Sequence, residues 1–465
     1  MRNLILLAIS LLIASGAGCT TSPRRTPPGK PHEARIDYWL TKMKGVDPAE
    51  LSDEQKTNKD KLLTLAWKQL VLAGKPAAKR IRQELDANPK DAYFQLSASM
   101  VLYQIEGNAA HPDIIMALQR TSIEDNRFQY FYLCHRLARS RDEAVLPVLE
   151  RLLANKKVFV FIDKDSPILD PRTVSVYLYG VFGPGAIPAL KKACADKSPT
   201  VRANAAAVLG YFADDDPLFV LADLLTDDRD EEVRAAAANA LGQVNHVAAI
   251  RPLAGVLTTD KSPSVRAACA FGLGEIQHEA CINGLAISLN DVSRPVRQCS
   301  INSLEYIGTE ACSNVVANRL ALEKDPDVRF ALIKALGHLG YDKWLDLLRK
   351  VSADGSGAEA TAAAESIRRI VAMGPRTRQV YPDLDGSKVS PAKLSKILTD
   401  LCNKFGEGID RQKKTIYLSA GKDDLGRLEE LRCRVLWVVN AQSMDRLAEA
   451  GKLMRLVKRK IRDMP

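Results

Sequence analysis

Residues 228–242 read DRDEEVRAAAANALG and residues 260–274 read DKSPSVRAACAFGLG, the same sentence in two spellings. The stretch recurs at 196–210 (DKSPTVRANAAAVLG), 291–305 (DVSRPVRQCSINSLE) and 323–337 (EKDPDVRFALIKALG). Each copy opens on an acid, carries a Val-Arg pair six residues on, and runs through small residues to a leucine. The Val-Arg pairs are Val201-Arg202, Val233-Arg234, Val265-Arg266, Val296-Arg297 and Val328-Arg329. A fixed period of about 32 residues means supersecondary units that bury a core only against their neighbours. The predicted fold is therefore all-α, an elongated solenoid of stacked helical hairpins.

Within a unit, a first helix such as 186–195 or 248–257 ends in a polar turn, often Asp-x-Ser-Pro. The Ser or Asp of that turn is expected to cap the second helix, with proline in its first turn. Val201, Ala205, Leu209 and Phe212 share one face, as do Val233, Ala237, Leu241 and Val244, which is the stripe of a buried helix side. The second helices are expected to end near Gly210, Gly242, Gly274 and Gly337.

Weaker copies extend the series. Arg172 with Leu178, Tyr179 and Gly180 keeps part of the pattern, and 133–153, 91–118 and 62–85 read as earlier hairpins. Residues 155–169 break the rhythm, with 158–162 a candidate extended segment. Residues 358–370 read as a last second helix, giving about ten hairpins over 36–374. Residues 375–390, rich in Pro, Gly, Arg and Asp, read as a linker, and 391–465 as a small C-terminal module of three or four helices.

The unit resembles the HEAT repeat, in particular its short form in phycobilisome lyases. The resemblance implies an inter-repeat ladder in which the turn acid and the helix arginine are hydrogen-bonded. That role would fall to Asp196 and Arg202, Asp228 and Arg234, Asp260 and Arg266, Asp291 and Arg297, and Glu323 and Arg329. The planar guanidinium suits it, since one fork bridges carboxylate and carbonyl acceptors together.

The first 18 residues form a separate unit of meaning. Arg2, an apolar run over 4–13 and Gly16-Ala17-Gly18 before Cys19 have the layout of a secretory signal peptide. The small residues leading into Cys19 resemble a bacterial lipoprotein lipobox, although Gly16 stands where leucine is usual. This implies cleavage, a lipidated Cys19 anchored in a membrane, and localisation to the bacterial cell envelope, facing periplasm or cell surface. Residues 19–35, with prolines at 23, 27, 28 and 31, then read as a tether.

Composition limits the chemistry. The 465 residues are 46% hydrophobic and 26% charged, the balance of a folded protein, and the net charge of +10 is too diffuse to call for nucleic acid. Six histidines and no C-x-x-C, H-E-x-x-H, P-loop or G-x-S-x-G motif leave no catalytic residue, metal set or cofactor to nominate. Deoxyhypusine hydroxylase, a relative of these repeats, holds iron through several His-Glu pairs, whereas here His278-Glu279 stands alone in the array. His278 reads as a surface residue opening a helix. Asp383–Ser387 is too short a loop for calcium, with Lys393 where a bidentate Glu belongs. Cys281 and Cys312, at equivalent repeat positions, are expected to stay unpaired, because stacked helices lie about 9–10 Å apart.

Function is then expected on the surface. On the second helices, opposite the buried stripe, stand Tyr211, Gln243, Glu275, Tyr306 and His338, nine residues past each arginine. Five past it stand Ala207, Asn239, Phe271, Asn302 and Lys334. These columns vary where the core columns do not, as a partner-binding concave face requires. The sequence reads as a non-enzymatic, membrane-anchored scaffold for a protein partner. Two other readings stay open: an enzyme-associated or ligand-carrying protein with its site in 155–169 or the C-terminal module, and a polyanion binder using the basic face of the last helix (Lys452, Arg455, Arg459, Arg462).

Overall fold

The computed structural model describes residues 32–44, 53–154, 171–212, 216–355, 357–373, 408–410 and 415–417. The chain divides into two compact units, 1–189 and 190–465. The expected signal peptide, Cys19, residues 19–31 of the tether, 155–169, the linker and the basic last helix lie outside the described residues; residues 32–35, expected as the end of the tether, instead form the first turn of a helix.

The first unit holds α1 (His32–Met43), α2 (Asp53–Ala73), α3 (Lys75–Ala87), α4 (Ala92–Glu106), α5 (His111–Arg120), α6 (Arg127–Ser140), α7 (Leu146–Leu153) and α8 (Pro171–Phe182). Helix α9 (Ile187–Ala193) leads into the second unit. There α10 (Pro199–Phe212), α12 (Glu231–Val244), α14 (Pro263–Ile276), α16 (Arg294–Ile307), α18 (Pro326–Leu339) and α20 (Ala358–Met373) are the second helices of successive hairpins. Their first helices are α11 (Leu218–Asp227), α13 (Ile250–Thr259), α15 (Ile282–Ser288), α17 (Glu310–Leu320) and α19 (Leu345–Asp354). In the second unit each even helix packs on the next even helix, and α11, α13, α15 and α17 form the other layer. Even helices of the first unit stack likewise, α2 on α4, α4 on α6 and α6 on α8.

The core lies between the two layers. Leu209, Leu241, Leu273, Leu304 and Leu336 are fully buried, as are Val233, Val265, Val296 and Val328. Sealing each such side chain contributes roughly 1.5–3 kcal/mol.

The glycines do something other than end helices. Each even helix runs two residues beyond Gly210, Gly242, Gly274 or Gly337. A Cβ on Gly210 would lie 2.6 Å from Ala240 Cα, one on Gly242 2.5 Å from Gly272 Cα, and one on Gly274 2.9 Å from Ser303 Cα. These positions are where successive even helices touch backbone to backbone. The helices end instead on left-handed residues: Asn245, Gln277, Gly308 and Gly340.

Turn capping also differs from expectation. Asp230 and Asp325 accept the first amides of α12 and α18, but Ser262 and Ser293 make no side-chain cap. The ladder acids hold the cap residues' own amides in every such turn: Asp260 Oδ1 accepts from Ser262 N at 2.7 Å, Asp291 Oδ1 from Ser293 N at 2.8 Å and Asp228 Oδ1 from Asp230 N at 2.9 Å.

One element departs from the helical reading of the C-terminal module. Gly408–Asp410 pairs antiparallel with Thr415–Tyr417, Ile409 opposite Ile416. β-Branched residues facing across strands favour that pairing.

Candidate interaction surface and the ladder that sets it

Six residues separate acid from arginine because the guanidinium returns to its own turn. Arg202 Nη1 donates to the carbonyls of Asp196 (2.9 Å) and Lys197 (3.1 Å). Its other edge crosses to the next repeat, Nε and Nη2 reaching the two oxygens of Asp228 at 2.7 and 2.8 Å. Arg234 repeats this on Asp228 O and on Asp260, and Arg266 on Asp260 O and on Asp291. Asp228, Asp260 and Asp291 therefore each give their carbonyl to their own arginine and their carboxylate to the arginine before it, while the Asp196 carboxylate takes the Ser198 amide. Burial by itself pushes the carboxyls of Asp228, Asp260 and Asp291 up; the arginine forks and the turn amides outweigh it and hold all three below the ordinary value.

The fourth step differs. Arg297 Nε lies 3.3 Å from Glu323 Oε2, and Nη2 lies 3.3 Å from Asp325. The longer Glu323 side chain instead meets Arg319 at 2.7 Å. Arg329 closes the series on Glu359 of α20.

The sequence reading missed a second ladder in the first unit. Arg120, at the end of α5, donates to Leu85 O at 3.2 Å. Arg151, at the end of α7, donates to Leu118 O, Gln119 O and Thr121 O at 2.9–3.1 Å. Each satisfies the orphan carbonyls at the end of the preceding odd helix. The signal was an arginine recurring after 31 residues, on the first helix instead of the second.

The ladder holds the even helices in register, and their solvent side carries the nominated residues. Gln243, Phe271 (41% exposed), Asn302 and Lys334 are exposed, and Asn239, Glu275, Tyr306 and His338 are half-buried. Tyr211 lies in α10, its side chain outside the described set. Around the last two repeats the row thickens. His338 Nδ1 lies 2.9 Å from Glu305 Oε1, Lys334 Nζ sits 5.5 Å from the Phe330 ring centre, and Gln298 donates to Asn302. Phe330 and Glu305 were not foreseen, although the column one past each arginine lies on the same side.

Little here is chemically reactive. Among the described residues no group of His, Cys, Asp and Glu is arranged to hold a metal ion, and no helix is long and apolar enough to cross a membrane. The described cysteines are free thiols. Burial pushes Cys194 and Cys281 up to about 12 and raises Cys134 and Cys269 further, the reverse of what a reactive thiol needs. His246 and His278 each open a short turn, Nδ1 accepting from the amide two residues on.

Stacked helix pairs, a crossing ladder and an open ridge define an α-solenoid of the HEAT type. Residues 187–274 and 282–368 match the HEAT-repeat model, and 265–291 match the PBS lyase HEAT-like repeat. Solved structures similar to this chain include human deoxyhypusine hydroxylase in complex with glycerol, at 21% identity over 59% of this chain and 96% of that one, with a TM-score of 0.25. The CpcE–CpcF complex of phycocyanin lyase from Nostoc sp. PCC7120 matches at 20% identity over 42% of this chain and 99% of that one, with a TM-score of 0.25. Yeast importin-beta matches at 11% identity over 93% of this chain and 60% of that one, with a TM-score of 0.44. No curated protein matches.

Proposed function

We propose that this chain is a non-enzymatic scaffold that grips a protein partner on the ridge of its even helices, the concave side of the repeat stack. Lipid on Cys19 would tie it to a membrane of the bacterial envelope. One observation carries the reading: the columns through residues 239–334 and 243–338 change chemistry at every repeat while every member is exposed or half-buried, none of them sealed in the core. The leucine, valine and arginine columns beside them stay nearly constant. Varied groups held at fixed spacing are what a specific protein surface needs.

Photo-crosslinking in the native envelope tests it. A crosslinker at Phe271 or Asn302 is expected to trap one discrete partner. The same group at Phe219, 82% exposed on α11 of the other layer, is expected to trap none. Trapping from Phe219 alone would overturn the ridge assignment. Anchoring is tested separately by labelling with a fatty-acid analogue, which Cys19→Ala should abolish.

A further inference from the structure

Residues 61–83 hold six cations and no Asp or Glu. They cover the second half of α2, the corner at Gly74 and the start of α3. Two of the six are used inside the fold: Arg80 pairs with Asp37 and Glu84, and Arg82 with Glu106 and Asp113. Lys68, Lys75 and Lys79 are exposed, and among the described residues no carboxylate pairs with them. Leu65 (44% exposed), Lys68 and Leu72 (79% exposed) follow at i, i+3 and i+7, so they share the solvent face of α2. Leu63, Ala66 and Leu70 take the buried side. Gly74, with φ at 64°, turns the chain into α3; Lys75 comes next and Lys79 one turn on.

Unpaired lysines interleaved with exposed leucines fit a lipid surface better than a protein. Protein-binding patches are enriched in Tyr, Trp and Arg and depleted in Lys, and both arginines here are engaged internally. A bilayer surface uses both groups present: leucine enters the acyl boundary, while the lysine stem lies along it and the ammonium stays among the headgroups. Anionic headgroups favour each lysine by about fivefold. Chain length supplies the approach. Helix α1 packs on both α2 and α3, and its first residue, His32, lies 13 positions after Cys19, a reach of at most about 45 Å.

We propose that the α2–α3 corner is a membrane-contact surface, with Leu65 and Leu72 entering an anionic phospholipid bilayer and Lys68, Lys75 and Lys79 seated among its headgroups. The contact rests on the anchoring reading above, in which lipid on Cys19 brings the corner to the bilayer. It is independent of the ridge in the second unit.

The test uses the full chain, purified from membranes, with an environment-sensitive fluorescent amino acid in place of Leu72. The protein is reconstituted on vesicles of phosphatidylethanolamine and phosphatidylglycerol. Flotation reads the anchor; emission, and quenching by brominated acyl chains, read the corner. A blue shift with quenching is expected. The equilibrium constant for insertion is expected to drop about tenfold or more when Lys68→Gln, Lys75→Gln and Lys79→Gln are combined, and likewise on vesicles of phosphatidylcholine alone. Protein that floats with an unshifted label, or a triple variant that inserts like the parent, overturns the corner and leaves the anchor standing. Protein that does not float on phosphatidylcholine overturns the anchor. The label must then still insert, saturably, in excess anionic vesicles, and the corner falls if it does not. A label that shifts only after soluble envelope proteins are added would assign the corner to a protein and overturn the proposal.

Discussion

Gly242 on α12 faces Gly272 on α14 so closely that a Cβ on the first would lie 2.5 Å from the Cα of the second. Two backbones meet there with nothing able to yield. Gly242→Ala must push the helices apart, and overpacking of this kind costs about 1–3 kcal/mol. Gly255, inside α13, has nothing within 4 Å of its Cβ position, so Gly255→Ala is expected to stabilise by about 0.5–1 kcal/mol through helix propensity. Urea unfolding followed by circular dichroism should show the two substitutions moving the midpoint in opposite directions.

Asp260 tests the ladder. It accepts two bonds from Arg234 and one from the Ser262 amide with its side chain 8% exposed. Asp260→Asn keeps an acceptor for the turn but removes the charge opposite a buried fork, an expected loss of about 3 kcal/mol at pH 7. Because the folded carboxyl sits below its unfolded value, its stabilisation is complete above about pH 4 and fades as pH falls through the lower folded value. The gap between parent and Asp260→Asn should therefore be flat from pH 7 to 5 and shrink by pH 3. A gap independent of pH would show that the charge is not what the ladder uses.

The ladder and the helix pairs were legible because a 32-residue period lines up chemically distinct columns. The helices do end within two residues of Gly210, Gly242 and Gly274, but the glycines' contact role was not legible, since a sequence shows a glycine's place along its own helix and hides the neighbour across from it. Arg120 and Arg151 escaped because their acceptors are carbonyls, which leave no residue-type signature. On the ridge, the column through Phe271 and Asn302 could be placed by helical phase. The thickening around Phe330, Lys334 and Glu305 depends on side chains meeting across repeats.

Gln277 ends α14 with φ at 57°, is 1% exposed, and has no partner for either amide atom. The next two repeats place Gly308 and Gly340 there, with φ of 75° and 71°. Gln277→Gly relieves a left-handed backbone cost of about 1 kcal/mol and a buried unmet amide worth about 1–3 kcal/mol. Loss of packing offsets part of this, and a net gain of about 1 kcal/mol is expected. A lower unfolding midpoint would mean that the amide is satisfied by buried water.

Two departures coincide between α16 and α18. The ladder arginine there, Arg297, reaches Glu323 only at 3.3 Å, where Arg202, Arg234 and Arg266 make short bidentate pairs. In the column that elsewhere holds the contact glycines stands Glu305, its Oε1 2.9 Å from His338 Nδ1. Weak links on both sides of one step make it the expected line of sub-global opening. Native-state hydrogen exchange should show α18 and α20 exchanging together at a lower free energy than α12 and α14. Glu323→Asp shortens the side chain, frees Arg319 and lets the Arg297 fork close on the carboxylate as in the earlier steps. That substitution is expected to raise the opening free energy of α18 and α20 by about 1 kcal/mol and to leave α12 and α14 unchanged. Uniform protection from α10 to α20 would place the opening elsewhere.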